Sequence, residues 1–299
     1  MPKVNYIAYL DAGLKEDHWR RDWTTLGVLN SQNKNSKNKK IQAKIIAKST
    51  GIFAGNGFLK ASKQIAMREG FVLRVKSQIK DGACFFPGKV LVTFSGSARF
   101  LLALERTLVN LLSYSSGIAT QTNKLVTKVK KKWKSLKLHL SITPKILATR
   151  KNLPFYRSLA LYAVQVGGGF PHRQNLEGGI LIKENHIYSA GSIKKAISQA
   201  QKYNPKQLKI ETEVKTIKDL RDALKLKPEI ILLDNFNPRM VKKALIEIRK
   251  TNSYSLVEIS GGLSEENILK YLMKGVNFLS VGALTHSVKS ADFSLLVEN

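Results

Sequence analysis

Ile230-Ile231-Leu232-Leu233-Asp234-Asn235, a helical pattern from Pro238 to Thr251, and then Leu256-Val257-Glu258-Ile259-Ser260-Gly261-Gly262 form the stretch that decides the fold. Each strand-like run is short, nearly continuous in apolar residues, and ends abruptly in polar residues or glycine. Such a run is covered on both faces, as happens in a parallel sheet flanked by helices. Working outward, the alternation recurs. Ile146-Leu147-Ala148, Ile180-Leu181-Ile182, Leu208-Lys209-Ile210 and Phe278-Leu279-Ser280-Val281 read as further strands. Pro154 to Val166, Ser192 to Tyr203, Ile217 to Leu226 and Glu265 to Met273 read as helices, the last with Ser264 as N-cap, Asn267 at its third position and Gly275 as C-cap. Strands alternating with helices at a steady repeat suggest closure into an α/β barrel, and an open doubly wound sheet satisfies the same pattern.

Upstream the chain changes character. Ile41 to Ala47, Phe71 to Val75 and Lys89 to Phe94 are short apolar stretches, with a helix over Phe58 to Glu69 and reversals at Asp81-Gly82 and Pro87-Gly88. They predict a small α/β sandwich with a mainly antiparallel sheet over residues 1–115, followed by the barrel over 116–286. The tail, 287–299, is expected to return to the first domain. Ser31 to Lys40, rich in Lys, Asn and Ser, reads as a surface loop. From Ser97 to Ser115 the period lengthens: Phe100, Leu101, Leu104, Leu108, Leu111 and Leu112 define one face of an amphipathic helix carrying Glu105 and Arg106.

Composition excludes several classes. Hydrophobic content of 43% with 24% charged residues is that of a globular protein, and Cys84 is the single cysteine, so no intrachain disulfide is possible. Met1 to Leu14 lacks a basic-then-apolar signal pattern, and no uncharged apolar run approaches membrane-spanning length. A cytoplasmic location is expected. The formal charge of +29 invites a nucleic-acid reading. The lysines are spread along the whole chain among many asparagines, however, as codon usage in an A+T-rich genome would produce. The densest group, Lys128, Lys130, Lys131, Lys132 and Lys134, surrounds Trp133 on a helical pattern and reads as a solvated helix. Neither interleaved aromatics nor a nucleic-acid module is visible, and no His or Cys spacing suits zinc.

The residues just past each strand carry the most information. The barrel strands run into Thr149-Arg150-Lys151, Lys183-Glu184-Asn185-His186, Glu213, Asp234-Asn235, Ser260-Gly261-Gly262 and Gly282-Ala283. Carboxyl ends of parallel strands are where barrel active sites are built, and core packing gives no reason for all these endings together. Arginines suit planar carboxylates, two spaced acids suit Mg²⁺ or ribose hydroxyls, and glycine-bearing turns offer amides to phosphate. A sugar phosphate beside a molecule bearing carboxylates is the ligand implied.

These strings, with Gly167-Gly168-Gly169-Phe170-Pro171-His172-Arg173, Glu105-Arg106, Ser116-Gly117-Ile118-Ala119-Thr120, Leu233-Asp234-Asn235-Phe236 and Val281 to Ser287, closely resemble the quinolinate phosphoribosyltransferases, a type II phosphoribosyltransferase family. The resemblance spans nearly the whole chain in the family's order. It implies an N-terminal α/β sandwich plus a TIM-like barrel of six to seven parallel strands, the seventh near Leu136 to Ile142. It also implies Mg²⁺-dependent transfer of phosphoribosyl from phosphoribosyl pyrophosphate to quinolinate with decarboxylation, giving nicotinate mononucleotide for NAD biosynthesis. Thr149, Arg150, His172, Arg173 and Lys183 would bind quinolinate, joined by Arg106 from the partner of a homodimer that can assemble further. Lys151, Glu213 and Asp234 would carry the catalysis, addressing phosphoribosyl pyrophosphate and its Mg²⁺. Ser260, Gly261, Gly262, Val281, Gly282 and Ala283 would cradle the 5′-phosphate.

The chain departs from the family pattern at Ala148, Asn152, Glu184 and Pro171. Pro171 is shared instead with paralogous, molybdate-transport-associated relatives, so transfer to another acceptor is the rival within the class. Lys183 favours quinolinate, because a cation there answers a second carboxylate. A basic nucleic-acid-binding protein is the rival from another class.

Overall fold

The computed structural model describes residues 3–29, 39–251 and 253–298. The loop expected at Ser31 to Lys40 therefore lies outside the described residues, apart from Lys39 and Lys40. In chain order the elements are α1 (Tyr6–Glu16), α2 (Trp23–Val28), β1 (Lys40–Ala47), β2 (Gly51–Ile52), α3 (Asn56–Arg68), β3 (Leu73–Ser77), β4 (Cys84–Phe85), β5 (Val90–Ser97) and α4 (Ala98–Ser135). Next come β6 (Lys145–Ala148), α5 (Arg157–Val166), β7 (Phe170–Pro171), β8 (Ile180–Ile182), α6 (Glu184–Ala190), α7 (Ile193–Lys202), β9 (Ile210–Val214) and α8 (Ile217–Leu224). The chain ends with β10 (Ile230–Asp234), α9 (Pro238–Lys250), β11 (Leu256–Ser260), β12 (Phe278–Ser280), α10 (Ala283–His286) and β13 (Phe293–Glu298). Two compact units emerge, one of residues 1–123, 158–168 and 288–299, the other of 124–157 and 169–287.

The first unit holds a four-stranded antiparallel sheet in the order β13-β1-β5-β3. Along β1 the side chains alternate, and Ala43, Ile45 and Ala47 are buried, so one face of the sheet forms core. The C-terminal strand β13 closes one edge, pairing with β1 from Gln42↔Glu298 to Ala47↔Phe293. The Ser116 to Thr120 motif has a packing role here. Ser116 Oγ accepts from the Ala54 amide at 3.1 Å, and Thr120 Oγ1 accepts from the Ile52 amide at 2.9 Å. Gly117 is required for close approach, since a β-carbon would lie 2.3 Å from the Lys289 carbonyl oxygen.

Asp81, in the expected reversal, anchors the start of α3. Its Oδ1 accepts from the Gly55 and Asn56 amides at 2.7 and 3.1 Å, and its Oδ2 accepts from the Tyr162 hydroxyl. Three donors on one carboxylate offset the open N-terminus of the helix. Asp81→Ala is expected to lower stability by roughly 2 kcal/mol, within the range for bonds to charged groups. Urea unfolding followed by circular dichroism would measure it, and a loss under ~0.5 kcal/mol would remove the anchoring role.

The second unit is a seven-stranded parallel sheet, in the order β7-β6-β12-β11-β10-β9-β8. No pairing joins β7 to β8 among the described residues, so the sheet curls as a half-barrel with one seam. The seventh strand is Phe170–Pro171, not the Leu136 to Ile142 region. There Leu140–Ile142 is a 3₁₀ turn, whose Ser141 amide is taken by the His139 ring. Pro171 fits because β7 is an edge strand, where a missing N–H leaves no ladder partner unsatisfied. The Glu265 to Met273 helix shrinks to a 3₁₀ turn at Ile268–Tyr271. Asn267 reaches back from its expected third position: its Oδ1 accepts from the Ser264 amide at 2.9 Å while its Nδ2 donates to the Gly262 carbonyl at 2.8 Å. The helix expected to end at Ser115 instead runs on to Ser135 and absorbs the lysine-rich stretch. Trp133 is fully buried on it, while Lys130, Lys131, Lys132 and Lys134 are exposed, as a solvated face requires. Among the described residues no helix is long and apolar enough to cross a membrane.

Candidate active site

The strand period builds the site in layers. Along a strand every second side chain faces the same way, so residues two apart stack inside the barrel. β9 sends Glu211 and Glu213 inward, β10 sends Leu232 and Asp234, and β11 sends Glu258 and Ser260. The upper members open onto a cavity of about 660 Å³ lined by the strands' carboxyl ends. That size suits one or two small ligands.

Most of the residues singled out in the sequence meet there: Thr149, Arg150 and Lys151 after β6, His172 and Arg173 after β7, and Lys183 after β8. Glu213, Asp234, Ser260, Gly261 and Gly262 join the lining from β9, β10 and β11. Val281, Gly282 and Ala283 do not line it. Val281 is buried with its amide donating to the Leu147 carbonyl at 2.9 Å, and Gly282 precedes the short α10. Gly282 nevertheless lies close by, since a β-carbon there would be 3.5 Å from Thr149 Oγ1. Arg106 belongs to the first unit, where it is exposed and only loosely paired with Glu105 at 3.9 Å.

The cations are poised for a guest. Arg150 Nε and Arg173 Nε are buried donors without a protein acceptor. Arg173 donates through Nη1 to the Gly179 carbonyl at 3.1 Å, which ties the end of β7 to the start of β8 across the barrel's seam. Burial and the neighbouring Arg150 charge both push the Arg173 guanidinium down from its ordinary value. Two like charges held together in a concave, half-buried place suit a polyanion. The acids show the converse. Burial, and then the charge of Asp234, raise the Glu213 carboxyl above its usual range, while Lys183 and Lys215 oppose.

Gly261 and Gly262 form a left-handed turn after β11, with φ of 96° and 59°. Asn235, at φ 56°, is left-handed too, and its Nδ2 donates to Asp234 Oδ2 at 3.0 Å. Glu184, a departure from the family pattern, is exposed and bonds Lys215. Asn152 accepts from Arg157 Nε at 3.4 Å, so both polar departures have structural partners.

Sequence reasoning missed the lower layer. Glu211, Glu258 and Ser280 are buried, Glu258 and Ser280 at the cavity floor and Glu211 below it, with Ser280 Oγ donating to Glu258 Oε1 at 2.6 Å. The signal was present: Glu211 is two residues before Glu213 and Glu258 two before Ser260, so each had to share its neighbour's face. Lys215, two beyond Glu213, joins the lining by the same rule.

A parallel barrel with guanidinium and ammonium groups, two acids and a glycine turn at its carboxyl end defines the class: a transferase of the type II phosphoribosyltransferase kind. Residues 22–116 match the N-terminal domain model of quinolinate phosphoribosyl transferase, and residues 118–296 match its C-terminal domain model. The chain belongs to the quinolinate phosphoribosyl transferase family, pentosyltransferases of NAD biosynthesis. It is 42% identical over 260 residues to the probable nicotinate-nucleotide pyrophosphorylase (carboxylating) of Methanocaldococcus jannaschii, covering 86% of each chain. With the Mycobacterium leprae nicotinate-nucleotide pyrophosphorylase (carboxylating) it shares 41% identity over 223 residues, 74% of each chain. The nicotinate-nucleotide pyrophosphorylase crystal structure from Ehrlichia chaffeensis superimposes with a TM-score of 0.86 at 31% identity, over 99% of this chain and 100% of that one.

Proposed function

We propose that this enzyme transfers the phosphoribosyl group of phosphoribosyl pyrophosphate to quinolinate, with loss of CO₂, to give nicotinate mononucleotide. The observation that carries this reading is the pair of buried, partnerless guanidinium nitrogens of Arg150 and Arg173, which share one cavity with Lys183 and the Glu213–Asp234 pair. A dicarboxylate satisfies the first set. Quinolinate's carboxylates are held by Arg150, His172, Arg173 and Lys183, oriented from Thr149, with Arg106 contributed by a second copy of the chain. The 5′-phosphate is received by the Ser260 to Gly262 turn and the nearby Gly282 and Ala283 amides.

The Glu213–Asp234 pair fits Mg²⁺, because a cation offsets the burial and the Asp234 charge that together raise the Glu213 carboxyl, and one or two carboxylates plus phosphate oxygens is the set this ion favours. When bound, Mg²⁺ supplies positive charge to the pyrophosphate oxygens. The protein's own part is positioning and electrostatics. Lys151 neutralises pyrophosphate as its oxygen leaves the anomeric carbon, and Glu213 or Asp234 steadies positive charge on the ribose ring. The pyridine nitrogen donates the electron pair of the new C–N bond. The resulting pyridinium accepts the electrons released when the adjacent carboxylate departs as CO₂, and a proton takes its place on carbon.

The test is a substrate-omission assay. Quinolinate is expected to be consumed only when phosphoribosyl pyrophosphate and Mg²⁺ are both present, with nicotinate a poor replacement. No consumption with all components present, or preference for nicotinate, would overturn the reading.

A further inference from the structure

Beneath the cavity, His172 Nε2 lies 2.8 Å from Glu211 Oε2 and 3.5 Å from Glu258 Oε2. Both carboxylates are almost fully buried, at 4% and 1% exposure; Glu258 reaches the floor of the cavity, and Glu211 borders only the hollow below it. Glu258 is fixed in turn by the Ser280 hydroxyl at 2.6 Å. His172 itself sits between two hollows, the ligand cavity above and a smaller one of about 340 Å³ below, lined by Lys145, Lys209 and Phe170 among others. We infer that Glu211 and Glu258 are positioning residues: they hold His172 as a fixed imidazolium, Nε2 committed downward to them, so that Nδ1–H is offered to a carboxylate of the acceptor.

The geometry argues for this directly. Two buried carboxylates cannot both stay ionised beside each other in a dry interior without a cation, and the imidazole is the group within hydrogen-bonding distance. Burial opposes charge on the ring, yet the bonds to Glu211 and then Glu258 outweigh it and push the His172 pKa up to about 10. Burial raises the Glu211 carboxyl as well, and the hydrogen bond from the ring works against that rise. The other charges facing this region are Arg150 from the end of β6, Arg173 beside the ring, and Lys145 and Lys209 around the lower hollow. These cations disfavour a further positive charge, so the carboxylates must supply what holds the proton. The inference deepens the proposed function, for it assigns a fixed charge to one of the groups said there to hold quinolinate.

The role also explains why a histidine can serve where arginines would be expected. An ordinary imidazole is largely neutral at pH 7.5 and binds a carboxylate weakly. Locked to two acids it becomes a compact cation whose direction is set by strands β9 and β11.

Native enzyme and variants should differ in their response to pH. In the native enzyme His172, with its pKa pushed up to about 10, should keep its proton through neutral pH, so its contribution to quinolinate binding should stay constant from pH 6 to 9. Glu211→Gln keeps the shape and a hydrogen-bonding atom but removes the charge. The ring then loses its proton as pH rises through the ordinary histidine range, and the KM for quinolinate should climb about 10- to 100-fold between pH 6 and 8.5, as expected for losing a charge-assisted bond. The kcat should change far less. Glu258→Gln should act in the same direction and more weakly, its oxygen being the farther one.

Two measurements decide it. In ¹⁵N-histidine-labelled native enzyme, the ring signals absent from His172→Asn should be those of an imidazolium up to pH 9, with or without ligand. Neutral His172 at pH 7.5 would overturn the inference, whatever the substrate proves to be. In Glu211→Gln and Glu258→Gln, a KM that stays flat with pH would also overturn it, as would a uniform fall in kcat alone. The same three side chains have ligand atoms within 4.8 Å of one another, a spacing a metal ion could use. A stoichiometric transition metal in the purified protein, lost in Glu211→Gln, would replace the imidazolium with a metal centre and defeat the proposal.

Discussion

Replacing Arg150 by alanine is expected to lower kcat/KM for quinolinate at least a thousandfold, equivalent to about 4 kcal/mol of transition-state stabilisation. The size of the effect comes from where the charge sits. The side chain is half-buried at the end of β6, its Nε has no protein acceptor, and the neighbouring guanidinium of Arg173 is near enough to be depressed by it. Truncating one partner of a desolvated, hydrogen-bonded charge pair typically costs about 2–5 kcal/mol. Here the partner would be the ligand. Stability should move the other way or not at all, because alanine removes a buried unpaired donor and a like-charge contact. This divergence separates a binding residue from a structural one. Arg150→Lys should fail to restore turnover, since a point charge cannot make the paired bonds of a guanidinium. Steady-state kinetics with both substrates, alongside thermal unfolding, would check the set. A variant that keeps near-normal turnover, or one that loses activity only because it unfolds, would end the assignment of Arg150.

Much of this site was legible because the barrel writes it in a repeating form. Apolar runs such as Ile230 to Leu233 announce buried strands, and the first polar residue after each marks the end that carries chemistry. Thr149 to Lys151, Lys183, Glu213, Asp234 and Ser260 to Gly262 were found this way, and all line one cavity. The rest was hidden for identifiable physical reasons. β7 has only Phe170 and Pro171, too short for any period and broken by a proline that only an edge strand tolerates. The Glu265 to Met273 stretch has helical spacing and a helix-starting bond from Asn267 to the Ser264 amide, yet only a 3₁₀ turn forms at Ile268–Tyr271. Glu258 sits inside a run read as a hydrophobic strand, where an acid looks like an interruption, and Glu211 directly follows the Leu208 to Ile210 run. Only the two-residue stagger relative to Glu213 and Ser260 shows them to be a second, deeper layer of the same site. The end of α4 was lost because the polar Ser113 to Thr122 region looks like a boundary. In fact Ser115, Ser116 and Thr122 are buried there, with their hydroxyls bonded to backbone groups.

Gly261→Val should reduce kcat/KM for phosphoribosyl pyrophosphate by a factor on the order of 10² to 10³, the range for losing a preorganised anion-binding contact. A β-carbon at this position would lie 2.3 Å from Asn235 Oδ1 and 2.9 Å from the Asn235 amide nitrogen, at a backbone φ of 96° that suits glycine alone. The clash cannot be absorbed locally. Asn235 is itself left-handed, its amide donates to the Ser260 carbonyl at 2.9 Å, and its side chain donates to Asp234. Moving Asn235 therefore shifts the acid next to it and twists the turn whose amides would face phosphate. The adjacent Gly262 supplies the control. Its φ of 59° lies in the ordinary left-handed region, and a β-carbon there would meet nothing within 4 Å. Gly262→Ala should thus cost only the roughly 1–2 kcal/mol of stability expected for one left-handed residue, with kcat/KM reduced by less than tenfold. Initial rates at varied phosphoribosyl pyrophosphate, paired with urea unfolding of both variants, would distinguish the two glycines. Equal losses in both, or a Gly261→Val enzyme with intact affinity for phosphoribosyl pyrophosphate, would show that this turn spaces the strands and does not receive the phosphate.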